Sequence, residues 1–248
     1  MIAQIRAEWL KQTTLRTGPA LLGTMLALVV LAVVLHAEGL PTGMLTPAHN
    51  QLMVIGVGER LGVLLAAIYG AISVTAEFRY GTIRPTLLVA PRRWRIIAAK
   101  AAIAVVAGLI LGLAATGLAT VLGTSLLTAR GVPVTVTDEE VRALIVGGSA
   151  AAALWGAIGV GVGALVRNQV PTMIGLAAWL LFIEGLLVEE ASSFLQFGKF
   201  GPGAAATSMA GMGADAMLAP AVGLLVLVLY AALFTALGAF MTERRDVP

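Results

Sequence analysis

Glu77-Phe78-Arg79-Tyr80-Gly81-Thr82-Ile83-Arg84-Pro85-Thr86-Leu87-Leu88-Val89-Ala90-Pro91-Arg92-Arg93-Trp94-Arg95-Ile96-Ile97-Ala98-Ala99-Lys100 is a basic segment, punctuated by glycine and proline, between two long apolar stretches. Six of the sixteen basic residues (Arg79, Arg84, Arg92, Arg93, Arg95 and Lys100) fall inside it. In a membrane protein Lys and Arg collect in the loops left on the cytoplasmic side. The segment is therefore expected to face the cytosol and to meet whatever this chain touches there.

The surrounding composition supports that setting. With 59% hydrophobic residues, 12% charged residues and a mean hydropathy of +0.95, 248 residues carry too little polar surface to coat a soluble globule. The apolar runs are long enough to cross a bilayer as helices, and their unbroken character excludes a barrel of alternating strands. The net charge of +3 sits at the ends of apolar runs rather than on a soluble face, so it sets orientation and implies no nucleic-acid partner. Cysteine is absent, which removes disulfides, thiolate nucleophiles and Cys-based metal sites. The preference for Arg over Lys, with abundant Ala, Gly, Val and Leu, fits a GC-rich bacterial genome.

Working outward, the sequence predicts an all-α integral membrane protein, a single domain over residues 1–248. Residues 1–17 place Ile2, Ile5 and Trp9 on one helical face and Gln4, Glu8 and Lys11 on the other, the pattern of an interfacial helix. Residues 18–76 hold membrane helices one (Gly18 to Leu35) and two (Leu52 to Ala76), joined by an external loop from His36 to Asn50. Glu59 and Arg60, in the second, are expected at the outer headgroup level or facing the bundle. The first apolar run is too long for a signal peptide and reads as an uncleaved helix. Residues 96–188 hold helices three (Ile96 to Leu127), four (Ala143 to Val166) and five (Val170 to Val188), with Gly108, Gly112, Gly156, Gly159 and Gly163 as close-packing positions. Residues 189–220 form a re-entrant or interfacial outer hairpin, and helix six occupies 221–241. Six spans leave both termini on one side, together with twelve of the sixteen basic residues, which predicts cytoplasmic N- and C-termini.

Several chemistries lack their residues. No G-x-x-x-x-G-K-[ST] loop exists to cradle phosphate, so any ATP must be bound by another polypeptide. There is no H-E-x-x-H and no G-x-S-x-G, and His36 and His49 read as solvated loop residues, so no metal and no catalytic residue is expected in this chain. Glu184 is the sharpest isolated residue, a carboxylate among Leu180, Leu181, Phe182 and Ile183. Intramembrane carboxylates are expensive and point to function. It reads as a structural or gating contact, satisfied by water or by Arg142 or Arg60, with direct substrate contact as the other reading.

The opening segment resembles the signature of the type 2 ABC exporter permeases, in which an acidic residue ends the second membrane helix, followed by a basic Gly-Thr turn, a Pro-Arg stretch and a Lys opening the third helix. Glu77, Phe78, Arg79, Gly81, Thr82, Ile83, Leu87, Pro91, Arg92, Arg93 and Lys100 stand at those positions. The resemblance implies two permease chains, identical or paralogous, with two cytosolic ABC ATPase subunits that carry ATP and Mg; this chain would bind no cofactor itself. It also implies that residues 77–95 form a coupling helix, with Glu77, Arg79, Gly81, Thr82, Arg84, Pro91, Arg92 and Arg93 at the junction with the ATPase. Gly81 suits a sharp reversal, and the arginines suit partner carboxylates or lipid phosphates.

The function so implied is the membrane subunit of an ATP-driven exporter in a bacterial cytoplasmic membrane. Its substrate would be hydrophobic or amphipathic (a drug, an antibiotic or a lipid-like molecule), because Tyr69, Trp179, Phe182 and aliphatic side chains, rather than charges, are available to line a seam between chains. A non-transporting anchor or regulator of an ATPase is the alternative, and a membrane enzyme a more distant one.

Overall fold

The computed structural model describes residues 2–14, 16–83, 93–184, 198–212 and 217–244, and among them the structure is helical without strands. Five helices are long and apolar enough to cross a membrane, making this a multi-pass membrane protein. They are α2 (Thr17–Gly39), α3 (Ala48–Arg79), α4 (Trp94–Ala129), α5 (Asp138–Val166) and α8 (Pro220–Arg244), preceded by α1 (Ile2–Thr14). Between α5 and α8 lie α6 (Gln169–Ala178), one π-helical turn (Trp179–Ile183) and the short α7 (Pro202–Met209).

The elements outrun their sequence-based bounds because polar residues continue the helices past the apolar runs. The expected external loop from His36 to Asn50 is mostly helix: His36 belongs to α2 and His49 to α3, with a 3-10 turn at Thr42–Met44 between them. The acidic run Asp138, Glu139 and Glu140, which lies before the expected fourth span, is the first turn of α5. Thr137 caps that helix by accepting from the Glu140 backbone N–H, while the Glu140 carboxylate accepts from the N–H of Thr137. Acidic side chains there also complement the helix dipole. At the other end of α5, Arg167 takes a left-handed φ of 59° and turns the chain into α6.

The helices α3, α4 and α5 form the packed centre, and small residues let their backbones meet. A Cβ on Gly159 would collide with the carbonyl of Ala67, and one on Gly108 with the carbonyl of Ala152. Lipid offers no hydrophobic drive between helices, so such close approach supplies the van der Waals contact that holds them. α2 and α8 pack on the outside and leave most of their apolar surface uncovered. The loops before α3 and before α5 are stapled by buried Gln51, which donates to the carbonyls of Leu45 (3.0 Å) and Pro133 (2.9 Å) and accepts from the N–H of Thr135 (2.9 Å).

The fifth expected span is shorter than the others as described: ten residues of α-helix followed by five of π-helix. The expected outer hairpin is described at 198–212 and 217–220, where α7 packs against α8 and α5. Residues 185–197 and 213–216 lie outside the described residues. So do residues 84–92, with Arg84, Pro91 and Arg92 and the middle of the expected coupling helix.

Candidate functional site at two charged clusters

α1 and the facing ends of α3 and α4 meet in a knot of charge. Lys100, 2% exposed, donates from Nζ to Glu8 Oε2 at 2.7 Å, to Glu77 Oε1 at 2.8 Å and to the carbonyl of Ser73 at 2.9 Å. Lys11 closes the ring with contacts of 3.0 Å to Glu8 Oε1 and to Glu77 Oε1. Two carboxylates and two ammonium groups balance, and of their oxygens only Glu77 Oε2 is left without a hydrogen-bond partner among the described residues. Partial burial of Lys11 disfavours its charge, but hydrogen bonds to Glu77 and Glu8 outweigh it and raise its pKa above the ordinary 10.5.

This knot adds an inward-facing contact to α1. The sequence pattern puts Ile2 and Trp9 on an apolar face and Glu8 on the opposite, polar one, as for a helix lying on a surface. In the fold Glu8 turns into the protein and is 4% exposed, while Ile2 and Trp9 point outward. The reason lies 92 residues away: Lys100 offers Glu8 a charged partner.

Next to the knot, α3 ends at Arg79 and the chain turns at Gly81, whose φ is +70°. No heavy atom lies within 4 Å of where a Cβ would sit, so glycine serves the backbone conformation there rather than space. Arg79 donates to Gln169 Oε1 (3.2 Å) at the start of α6, and Arg93 to the carbonyl of Thr242 (3.5 Å) near the end of α8. Arg167 donates to the carbonyl of Met241 (3.0 Å) and lies over the Phe78 ring (5.2 Å). The bases of α3, α4, α6 and α8 are thus linked at one end of the bundle.

Tyr69 belongs to this end as well. It is buried, donates to Gln12 Oε1 at 3.1 Å, and lines a cavity of about 500 Å³ with Glu8, Lys11, Glu77 and Lys100. It therefore does not join Glu184.

The second cluster lies some 18 residues back along α3 from Glu77, about 27 Å at 1.5 Å per residue. Glu184 follows the π turn, in which its N–H reaches the carbonyl of Trp179. Single π turns reposition the side chains beyond them and recur at functional sites. Neither Arg142 nor Arg60 pairs with Glu184. Its Oε1 accepts from the backbone N–H groups of Gly203 (2.5 Å) and Ala204 (2.9 Å), so the carboxylate caps α7. Gly201 and Gly203 leave room for it, since a Cβ at either would run into the carboxylate.

Glu184 shares a cavity of about 410 Å³ with Glu59, Arg60, Val63, Leu180 and Leu181. Of the two placements open for Glu59 and Arg60, Glu59 faces the bundle at 2% exposure and Arg60 the surface. Of the other candidates, Trp179 is half-buried and Phe182, 67% exposed, points away from the bundle. Sequence reasoning missed Glu8 and Glu59 as site members. The available signal for Glu59 was that its helical neighbours, Ile55, Gly56, Gly62 and Val63, are apolar, whereas Glu8, beside Gln4, Lys11 and Gln12, carried no such signal. Among the described residues no group of three or more His, Cys, Asp and Glu is placed to hold a metal ion.

No family model matches this sequence, and no curated protein matches it.

Proposed function

We propose that this chain is the membrane subunit of an ATP-driven exporter of hydrophobic or amphipathic molecules, energised by a separate cytosolic ATPase. One observation carries the reading: the buried Lys100–Glu8–Glu77 knot welds α1, the base of α3 and the start of α4 together immediately before a glycine-hinged, arginine-rich elbow. A force applied to the elbow would then move helices, rather than bend a loose loop. The Arg79 to Gln169 hydrogen bond extends that linkage to α6, which lines the far cavity through its π turn.

On this reading Glu77 acts as a positioning residue within the joint. Arg79, Thr82, Arg84, Pro91, Arg92 and Arg93 shape or present the docking surface, and Gly81 sets its direction. α6 with its π turn makes a sixth crossing, so that both termini and the elbow face the cytoplasm of a bacterial cell. A second copy or a paralogue completes the translocation path, and ATP with Mg stays on the ATPase.

The test begins with topology. The chain has no cysteine, so a single Tyr80→Cys variant reports the elbow directly; Tyr80 is 71% exposed. Labelling from the cytoplasmic side only is expected, and labelling from outside sinks the proposal. Next, Arg84→Glu with Arg92→Glu should abolish co-purification of a soluble ATPase while membrane insertion is retained. Arg93 is spared in that variant because it holds α8. Unchanged ATPase capture would refute the docking role.

A further inference from the structure

The 410 Å³ cavity at the second cluster has walls of two kinds. Val63, Leu180, Leu181 and Met217 supply apolar surface, while Glu59 and Glu184 supply carboxylates that are 2% and 5% exposed. Oε2 of each is buried without a hydrogen-bond partner among the described residues. Such groups are costly unless a donor meets them. Arg60 lines the same cavity but forms no ion pair with either carboxylate, and its side chain is exposed. Glu184 already spends one oxygen on capping α7, which fixes its other oxygen in place. Among the described residues Glu59 has no hydrogen bond to lose.

We propose that this cavity binds an organic cation, a protonated amine carried on an apolar body, with the ammonium between Glu59 and Glu184 and the body against Leu180, Leu181 and Val63. An ammonium carries up to three donors and can meet both vacant oxygens at once. An inorganic ion would gain nothing from the apolar walls, whereas an amphipathic cation uses both. The cavity also falls within the roughly 300–1,000 Å³ typical of small-molecule sites. As a substrate site this deepens the exporter reading and rests on it; as a binding site it stands alone.

The experiment is calorimetric titration of the purified full-length protein in neutral detergent, without ATPase or nucleotide. The probes are phenylbutylamine and its uncharged counterpart phenylbutanol. The amine should bind about tenfold more tightly than the alcohol, one decade in Kd. Glu59→Gln should erase that difference and leave alcohol binding unchanged, and its thermal midpoint should match or exceed that of the parent. Arg60→Gln, which removes a competing positive charge, should tighten amine binding.

Equal binding of amine and alcohol by the parent protein would overturn the proposal, as would amine binding indifferent to Glu59→Gln. So would Glu59-dependent thermal protection by sodium alone with none by the amine. The two readings fail separately. Glu59-dependent amine binding by a chain that captures no ATPase leaves this site standing and removes the exporter, while nucleotide-driven export without such binding does the reverse.

Discussion

The two ends of α3 each hold a pair of carboxylates out of water, and they satisfy them in different ways. At the elbow end Glu8 and Glu77 face Lys11 and Lys100, every charge has an opposite, and the result is a closed joint. At the cavity end Glu59 and Glu184 share a void, and among the described residues the backbone N–H groups of α7 hold one oxygen of Glu184. A balanced buried cluster holds helices in register, and removing any one member leaves a charge stranded. An unbalanced cluster beside a cavity has unused capacity for a ligand. The same residue type thus serves as fastening at one end and as receptor at the other.

The contrast breaks most readily at Lys100. Lys100→Met leaves two carboxylates sharing the single, half-exposed ammonium of Lys11 and should lower unfolding stability by about 3–5 kcal/mol in a denaturation series. Adding Glu8→Gln and Glu77→Gln to that variant should restore much of the loss. If it does not, the knot is incidental to folding. At the cavity end Gly203→Ala drives a methyl group into the Glu184 carboxylate and should cost about 1–3 kcal/mol, the range for disrupting a buried hydrogen bond. Glu59→Gln should behave in the opposite sense, leaving stability unchanged or raising it by about 1 kcal/mol, because it removes a buried carboxylate that has no hydrogen-bond partner among the described residues. A large loss there would show that Glu59 is structural and would erase the distinction between the two ends.

The smallest expected effect concerns Lys11, whose side chain is 41% exposed. Its folded pKa is raised, so its contribution is complete below the unfolded value of 10.5 and fades as pH climbs through the higher folded value. Stability measured up to neutral and mildly alkaline pH should therefore be indifferent to the titration of Lys11. Lys11→Ala should cost far less than Lys100→Met, because solvent screens an exposed pair. Equal costs would mean that burial does not set the strength of this cluster.

The residues themselves determined the helical membrane character, the turn at Gly81 and the close-packing glycines of α4 and α5. These follow from properties read along one segment: uninterrupted hydrophobicity, the φ range open only to glycine, and the spacing of small side chains on one face. The sequence also singled out Glu184 as a carboxylate that needs a partner, yet its two nominated arginines are not the ones that meet it. Its actual partners are main-chain N–H groups 19 and 20 residues further along, and backbone atoms leave no mark in residue identity.

The inward turn of α1 was equally illegible. Periodicity reports that Glu8 and Ile2 lie on opposite faces, but not which face the protein will cover, and that choice belongs to Lys100 across 92 residues of chain. Tertiary structure alone decided which carboxylates are paired and which face a void, because pairing depends on distances between segments that sequence order does not constrain.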